Sequence, residues 1–104
     1  MSGVEMEVLA HSNDMRFTQY TLQPGGEIPW HFHRSVSDWY IGRAGIVTVE
    51  TKDPDNRAEL SPGDMFKVPT ARRHRVRNNG DTPCCFALVQ GVGSYDFHLV
   101  TDED

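Results

Sequence analysis

At 104 residues the chain has the length of one domain and can bury about 60–70% of its unfolded surface, enough for a core without staples. Its formal net charge of −5 argues against nucleic acid as a partner, because phosphate neutralisation needs a basic face. No apolar run approaches the ~20 residues that cross a bilayer, so no membrane span is expected.

The first fourteen residues, MSGVEMEVLAHSND, are acidic and lack a basic flank followed by an apolar stretch. No signal peptide is expected there, and the cytoplasm is the expected compartment. From residue 15 the punctuation becomes dense: PGG at 24–26, RAG at 43–45, KDPDN at 52–56, SPGD at 61–64, NNGDTP at 78–83 and GVGS at 91–94. Between these turns lie short stretches rich in Val, Ile, Thr, Phe and Tyr. In chain order they predict strands over Arg16–Leu22, Ile28–His33, Asp38–Ile41, Ile46–Thr51, Met65–Val68, His74–Arg77, Cys84–Gln90 and Tyr95–Val100. Short strands at regular spacing, with no sustained 3.6-residue apolar repeat, point to an all-β sandwich or barrel. The expected organisation is an N-terminal segment 1–14, a barrel over 15–100 and a disordered acidic tail at 101–104.

The stretch WHFHRSVSD, residues 30–38, raises the question of function. In an extended chain residues i and i+2 share a face, so His31 and His33 project together while Trp30 and Phe32 go to the other side. At this point alone the histidine face could be a solvated surface or the inside of a barrel. A third histidine favours the inside. Beyond the turn at residues 69–73, His74 is in phase with Val76, whereas Arg73, Arg75 and Arg77 alternate outward. The remaining histidines, His11 and His98, read as surface or hydrogen-bonded core residues. Cys84 and Cys85 are sequence neighbours, too close for an unstrained bond, and read as small apolar residues on opposite faces of a strand.

These residues fall into two motifs, and through them the chain resembles the small single-domain cupins. The first motif runs Gly25, five residues, His31-Phe32-His33, four residues, Asp38, six residues, Gly45. The second runs Gly63, five residues, Pro69-Thr70-Ala71, two residues, His74, three residues, Asn78. Two positions depart from the family pattern: Asp38 where glutamate is usual, and Ala71 where glycine is usual. The motifs span about half the chain.

The resemblance implies a double-stranded β-helix, a jelly-roll barrel that manages its exposed sheet edges by folding back on itself. It also implies one divalent metal held by His31, His33, Asp38 and His74. Three neutral imidazoles and one carboxylate suit Fe, Mn, Ni, Co, Cu or Zn, and a six-coordinate ion would keep two positions open for water or substrate. Aspartate is shorter than glutamate by roughly 1.5 Å. Asp38 therefore either draws the backbone closer, binds through a water, or leaves the ion to three histidines.

Strand parity nominates Gln19, Tyr40, Phe66, Val76 and Phe86 as pocket walls. Tyr40 is the candidate catalytic residue, as proton donor or substrate-orienting phenol; the alternative is a packed ring whose hydroxyl reaches solvent. Trp30, Phe32, Trp39 and Ile41 fall opposite the expected ligands. As one external patch they would favour pairing with a second copy, so a homodimer is expected, as is common among cupins of this size. Family members include isomerases, polyketide cyclases and dioxygenases. The expected function is a metal-dependent enzyme on a small organic substrate, with Lewis-acid isomerase, cyclase or lyase-like chemistry favoured over a mononuclear iron dioxygenase. A non-enzymatic small-ligand binder, or a cupin with a vestigial site, is the third reading.

Overall fold

The computed structural model describes residues 2–101. Ten strands carry the fold: β1 (Val4–His11), β2 (Met15–Leu22), β3 (Glu27–Phe32), β4 (Ser37–Ala44), β5 (Val47–Thr51), β6 (Asn56–Leu60), β7 (Met65–Val68), β8 (His74–Arg77), β9 (Cys84–Gly91) and β10 (His98–Leu99). They form two five-stranded sheets, ordered β1-β2-β9-β4-β7 and β10-β3-β8-β5-β6, with every pairing antiparallel. The chain crosses repeatedly from one sheet to the other, which is the jelly-roll arrangement. No helix among the described residues is long and apolar enough to cross a membrane.

Alternation along each strand builds the core. Leu22 and Tyr20 on β2, Phe86 and Leu88 on β9, Tyr40 on β4, Val49 on β5 and Val76 on β8 are buried between the sheets. Tyr20 stacks on Phe86 with ring centroids 5.1 Å apart. Burying an aromatic or aliphatic side chain of this size stabilises the fold by about 1.5–3 kcal/mol. Strict alternation fails once where it matters. Ile28 and His31 both face inward although three residues apart, because a bulge at Pro29–Trp30 shifts the β3–β8 register. Proline, which has no N–H for the ladder, is suited to such a bulge.

Two strands carry no clear signal in the sequence. β1 pairs with β2 and carries the first sheet into the segment read as lying outside the barrel. β6, NRAEL, pairs with β5 across the KDPDN turn. Both are edge strands with one ladder of backbone hydrogen bonds each and mostly exposed side chains, although Leu60 at the end of β6 is buried in the core and Val4 and Ala58 pack against it. The predicted strand over Tyr95–Val100 shrinks to His98–Leu99, and the residues before it form a strap. Of the expected acidic tail, Thr101 is exposed and residues 102–104 lie outside the described residues.

The single apolar patch expected from Trp30, Phe32, Trp39 and Ile41 does not form. Trp30 and Phe32 belong to β3 and Trp39 and Ile41 to β4, on the outer faces of different sheets. Each aromatic ring has its own cover. Lys52 and Arg75 sit 4.5 and 5.0 Å from the Trp30 ring, Lys67 lies 5.3 Å from Trp39, and His98 stacks on Phe32. All four are half-buried, and Trp30 and Trp39 lie under long cationic side chains, a common way to shield apolar surface.

Candidate metal centre

One row of residues across each sheet is polar on its inner face. In the first sheet Arg16 lies opposite Gln90, and Gln90 opposite Asp38. In the second, His31 lies opposite His74, and His74 opposite Thr51. Directly paired residues of antiparallel strands point to the same side, so each row projects into the space between the sheets. His33 follows His31 just past the end of β3. The result is a cluster of His31, His33, Asp38 and His74, all buried, whose ligand atoms lie within 4.8 Å of one another. The three histidines read from the sequence and the acid of the first motif are thus brought together.

The imidazoles are held in one tautomer. His31 Nδ1 lies 2.7 Å from the Pro29 carbonyl, His33 Nδ1 2.5 Å from the Asp96 carbonyl and His74 Nδ1 2.8 Å from the Arg72 carbonyl. A carbonyl oxygen only accepts, so each Nδ1 carries the proton and donates it. In the neutral ring the Nε2 lone pair is then bare and faces the cluster. This is the outer support that metal-bound histidines ordinarily have.

Asp38 meets those lone pairs. Its Oδ2 lies 3.1 Å from His74 Nε2 and 3.4 Å from His33 Nε2. Two acceptors at that separation repel unless a proton or a metal cation lies between them. His33 Nε2 is buried without a hydrogen-bond partner. An orphaned buried nitrogen costs about 1–3 kcal/mol, which a cation at the centre would remove. The residues present therefore fit a divalent metal, in donor type and in the direction of their lone pairs.

The electrostatics agree. Burial, reinforced by the neighbouring His74, lowers the His31 imidazole from its ordinary 6.5 to about 3, so it is neutral and free to ligate. Burial also pushes His33 down, but the Asp38 carboxylate 3.4 Å from its Nε2 favours a proton there and, with no cation present, holds the imidazole above its ordinary value. For Asp38, burial acts to raise the pKa, and the facing His33 and His74 imidazoles reverse it to well below the usual carboxylate range. The carboxylate is ionised in a fully enclosed place.

Tyr40 is buried, and its hydroxyl does not reach solvent. It donates to Asp38 Oδ2 at 2.8 Å, while Gln90 Nε2 donates to Asp38 Oδ1 at 3.0 Å. Burial and then the Asp38 charge push the Tyr40 phenol well above its ordinary value, so it stays a donor. Asp38 is thereby fixed on both oxygens, and its short side chain is aimed from a strand paired on both sides.

A cavity of about 340 Å³ opens from the cluster. His31, His33 and Tyr40 line it together with Tyr20, Leu88 and Phe97. Of the walls expected from parity, Tyr40 is present. Gln19 points outward, where Arg43 donates to its Oε1, because its neighbour Tyr20 takes the inward phase of β2. Phe66, Val76 and Phe86 pack in or against the core rather than along the cavity. The arginines at 72, 73, 75 and 77 occupy the outer side: Arg72 donates to the Lys52 and Pro54 carbonyls, Arg73 pairs with Asp53, and Arg75 and Arg77 pair with Glu27 and Glu50.

Sequence reasoning missed the strap before β10. Tyr95 and Phe97 reach over the cluster, with Phe97 stacked 4.7 Å from the His31 ring. The Asp96 carboxylate accepts from the backbone N–H groups of Arg34 and Ser35 at 2.7 and 3.0 Å, pinning the strap beside the first motif. No spacing rule links residues so far apart in the chain. Asn78, the last residue of the second motif, is structural: its Nδ2 donates to the Leu22 and Thr82 carbonyls and its Oδ1 accepts from Gly80 N–H.

The cupin-domain family model matches residues 18–90. Germin-like protein 5-1 of rice, Oryza sativa subsp. japonica, is 35% identical over 88 residues, covering 80% of this chain and 37% of the rice protein. The chain therefore spans little more than a third of that relative's length. A conserved Klebsiella pneumoniae protein with a double-stranded β-helix domain superposes with a TM-score of 0.84 at 23% identity, over 97% of this chain and 87% of that one. The polyketide cyclase RemF of Streptomyces resistomycificus gives 0.81 at 18% identity, over 96% and 72%. At these identities the structural likenesses speak for the fold. The motifs, the two sheets and the matched family model together establish that the chain belongs to the cupin family.

Proposed function

We propose that this cupin is a metal-dependent enzyme acting on a small organic molecule, with His31, His33, Asp38 and His74 as ligands of one divalent ion. The observation that carries the reading is the three Nδ1–carbonyl bonds, which leave three Nε2 lone pairs converging on a buried carboxylate. An ion held there supplies Lewis acidity toward a substrate oxygen. The protein side chains supply the rest. Tyr20 lines the same cavity, and burial, then the nearby Tyr95, push its phenol up to about 12. It remains protonated at neutral pH and is placed to donate a hydrogen bond to an oxyanion forming in the cavity. That donor favours isomerase, cyclase or lyase-like chemistry over oxygen activation. Tyr40 positions Asp38 rather than meeting substrate.

Metal analysis of protein purified without chelator or nickel resin tests the reading. The expected result is one equivalent of a divalent ion, lost in a folded His31→Gln, His74→Gln double variant. Wild-type protein that holds no ion, and gains no thermal stability from added Zn, Mn, Fe, Co, Ni or Cu, overturns it in favour of a small-ligand binder or a vestigial site.

A homodimer is retained as part of the proposal, with its interface moved to β1. Met6 and Val8 lie opposite the inward-facing Tyr20 and Thr18, yet remain 53% and 40% exposed at the sheet edge. Light scattering that finds only an 11.8 kDa species at micromolar concentration removes the dimer from the proposal.

A further inference from the structure

Arg16 stands apart from the other arginines of this protein. It occupies the polar row of the first sheet, opposite Gln90, which in turn holds Asp38. Its guanidinium packs 4.1 Å from the centre of the Tyr95 ring, and its Nη2 reaches only the Met6 sulfur, at 3.5 Å. Arg57, Arg73, Arg75 and Arg77 pair with carboxylates, and Arg43 and Arg72 donate to the Gln19 amide and to backbone carbonyls. Among the described residues no carboxylate lies within ion-pair distance of Arg16 or Arg34, and of these two Arg16 lines the cavity at the histidine cluster. Sulfur is a weak acceptor, so most of the five guanidinium donors are left for something else.

The position is that of a ligand contact. Arg16, Gln90 and Tyr95 line both the 340 Å³ cavity at the histidine cluster and a neighbouring cavity of about 210 Å³. Among the described residues Arg16 is the one lysine or arginine lining either space. Much of the inner wall is apolar: Met6, Ile28, Leu88 and Phe97, with the rings of Tyr20 and Tyr95. A lone planar guanidinium matches a carboxylate through two parallel hydrogen bonds, whereas a phosphate dianion calls for further cations. A volume near 340 Å³ lies at the small end of ligand sites.

Resting on the metal reading for the far end of the cavity, we infer that the substrate is a small monocarboxylate with an apolar body, and that Arg16 binds its carboxylate. Packing over the Tyr95 ring restrains the guanidinium before the ligand arrives, so less side-chain freedom is lost on binding.

The test is calorimetric titration of zinc-loaded protein with phenylacetate and with its neutral analogue phenylacetamide, with bound zinc measured for each sample. Wild type is expected to prefer phenylacetate at least tenfold. Arg16→Gln should erase that preference at unchanged zinc content and unchanged phenylacetamide binding, and Arg16→Lys should restore part of it. A carboxylate held by zinc alone predicts a preference that survives Arg16→Gln, and that result overturns the inference. Equal affinity for the two probes, or binding of neither, overturns it as well. If wild type takes up no zinc, the metal reading fails separately, and the same comparison on metal-free protein still decides the role of Arg16.

Discussion

Replacing Asp38 with Asn separates a metal ligand from a structural carboxylate. In the wild type, Oδ2 faces two imidazole lone pairs at 3.1 and 3.4 Å and accepts from Tyr40. In the variant, Asn Oδ1 keeps the hydrogen bond from Gln90, and Nδ2 replaces Oδ2 with two N–H donors facing His33 and His74. Two new neutral hydrogen bonds contribute about 1 kcal/mol each, while the lost charge-assisted bond from Tyr40 costs about 1.5–3 kcal/mol. The metal-free stability at pH 8 should therefore change by about 1 kcal/mol or less. Metal linkage behaves differently. A divalent ion at one hundred times the wild-type Kd stabilises that protein by about 2.7 kcal/mol. At about 4–8 °C per kcal/mol for a domain of this size, the melting temperature rises by roughly 11–22 °C. If losing the carboxylate weakens binding about 100-fold, the same ion concentration stabilises the variant by only about 0.4 kcal/mol, roughly 2–3 °C. Thermal unfolding with chelator and with added zinc reads both quantities. A variant with the full wild-type zinc shift removes Asp38 from the ligand set. A variant that unfolds in chelator at pH 8 refutes the lone-pair account of the metal-free site.

Ala71 sits at φ = 67°, in the left-handed region where the family pattern has glycine. That conformation costs a residue with a Cβ about 1–2 kcal/mol, and the unfolded-state freedom of glycine takes back about 0.5–1. Ala71→Gly should thus stabilise the protein by about 0.5–1 kcal/mol, read as a higher melting temperature, and a lower one refutes the strain. The third prediction concerns acid. His31 has a folded pKa of about 3 against an ordinary 6.5, so between those values the unfolded chain binds more protons. Its contribution makes metal-free stability fall as pH drops through that window, by at most about 1.4 kcal/mol per unit. His33, raised above 6.5, acts oppositely: its stabilisation is complete below 6.5 and is lost as pH rises through its elevated value. Urea midpoints of wild type and His31→Gln from pH 7 to 4 should differ in slope, the variant being flatter; parallel profiles refute the assignment.

What the sequence made legible was whatever depends on local spacing. The i, i+2 rule placed His31 and His33 together, phase with Val76 turned His74 inward, and the motif glycines Gly25 and Gly63 do lie at positive φ, as their turns require. What stayed hidden depends on partners distant in the chain or on backbone atoms. The donors that complete the site's outer support meet the carbonyls of Pro29, Arg72 and Asp96, and a carbonyl has no letter in a sequence. Arg16 belongs to a strand outside both motifs, and only the β2–β9–β4 register carries it into the row of Asp38. The apolar residues opposite the ligands were placed on the right faces, but parity along one strand does not tell which sheet the strand joins, so two surfaces were read as one.

The two departures from the family pattern have different physical consequences. At Ala71 the backbone keeps the conformation glycine would take, and the turn is still tied down by Ala71 N–H donating to the His33 carbonyl at 2.6 Å. The strain is local and leaves the ligands in place. At Asp38 the side chain is shorter, yet β4 pairs with β7 on one side and β9 on the other, which fixes where the carboxylate can sit. Tyr40 and Gln90 then hold both oxygens, so what reach was lost is met by rigidity. The imidazole protons are met by carbonyls, but the orphaned His33 nitrogen beside an enclosed carboxylate costs stability unless a proton or a cation lies between them. Above the pH at which His33 loses its proton, that cost is the physical ground for expecting a cation.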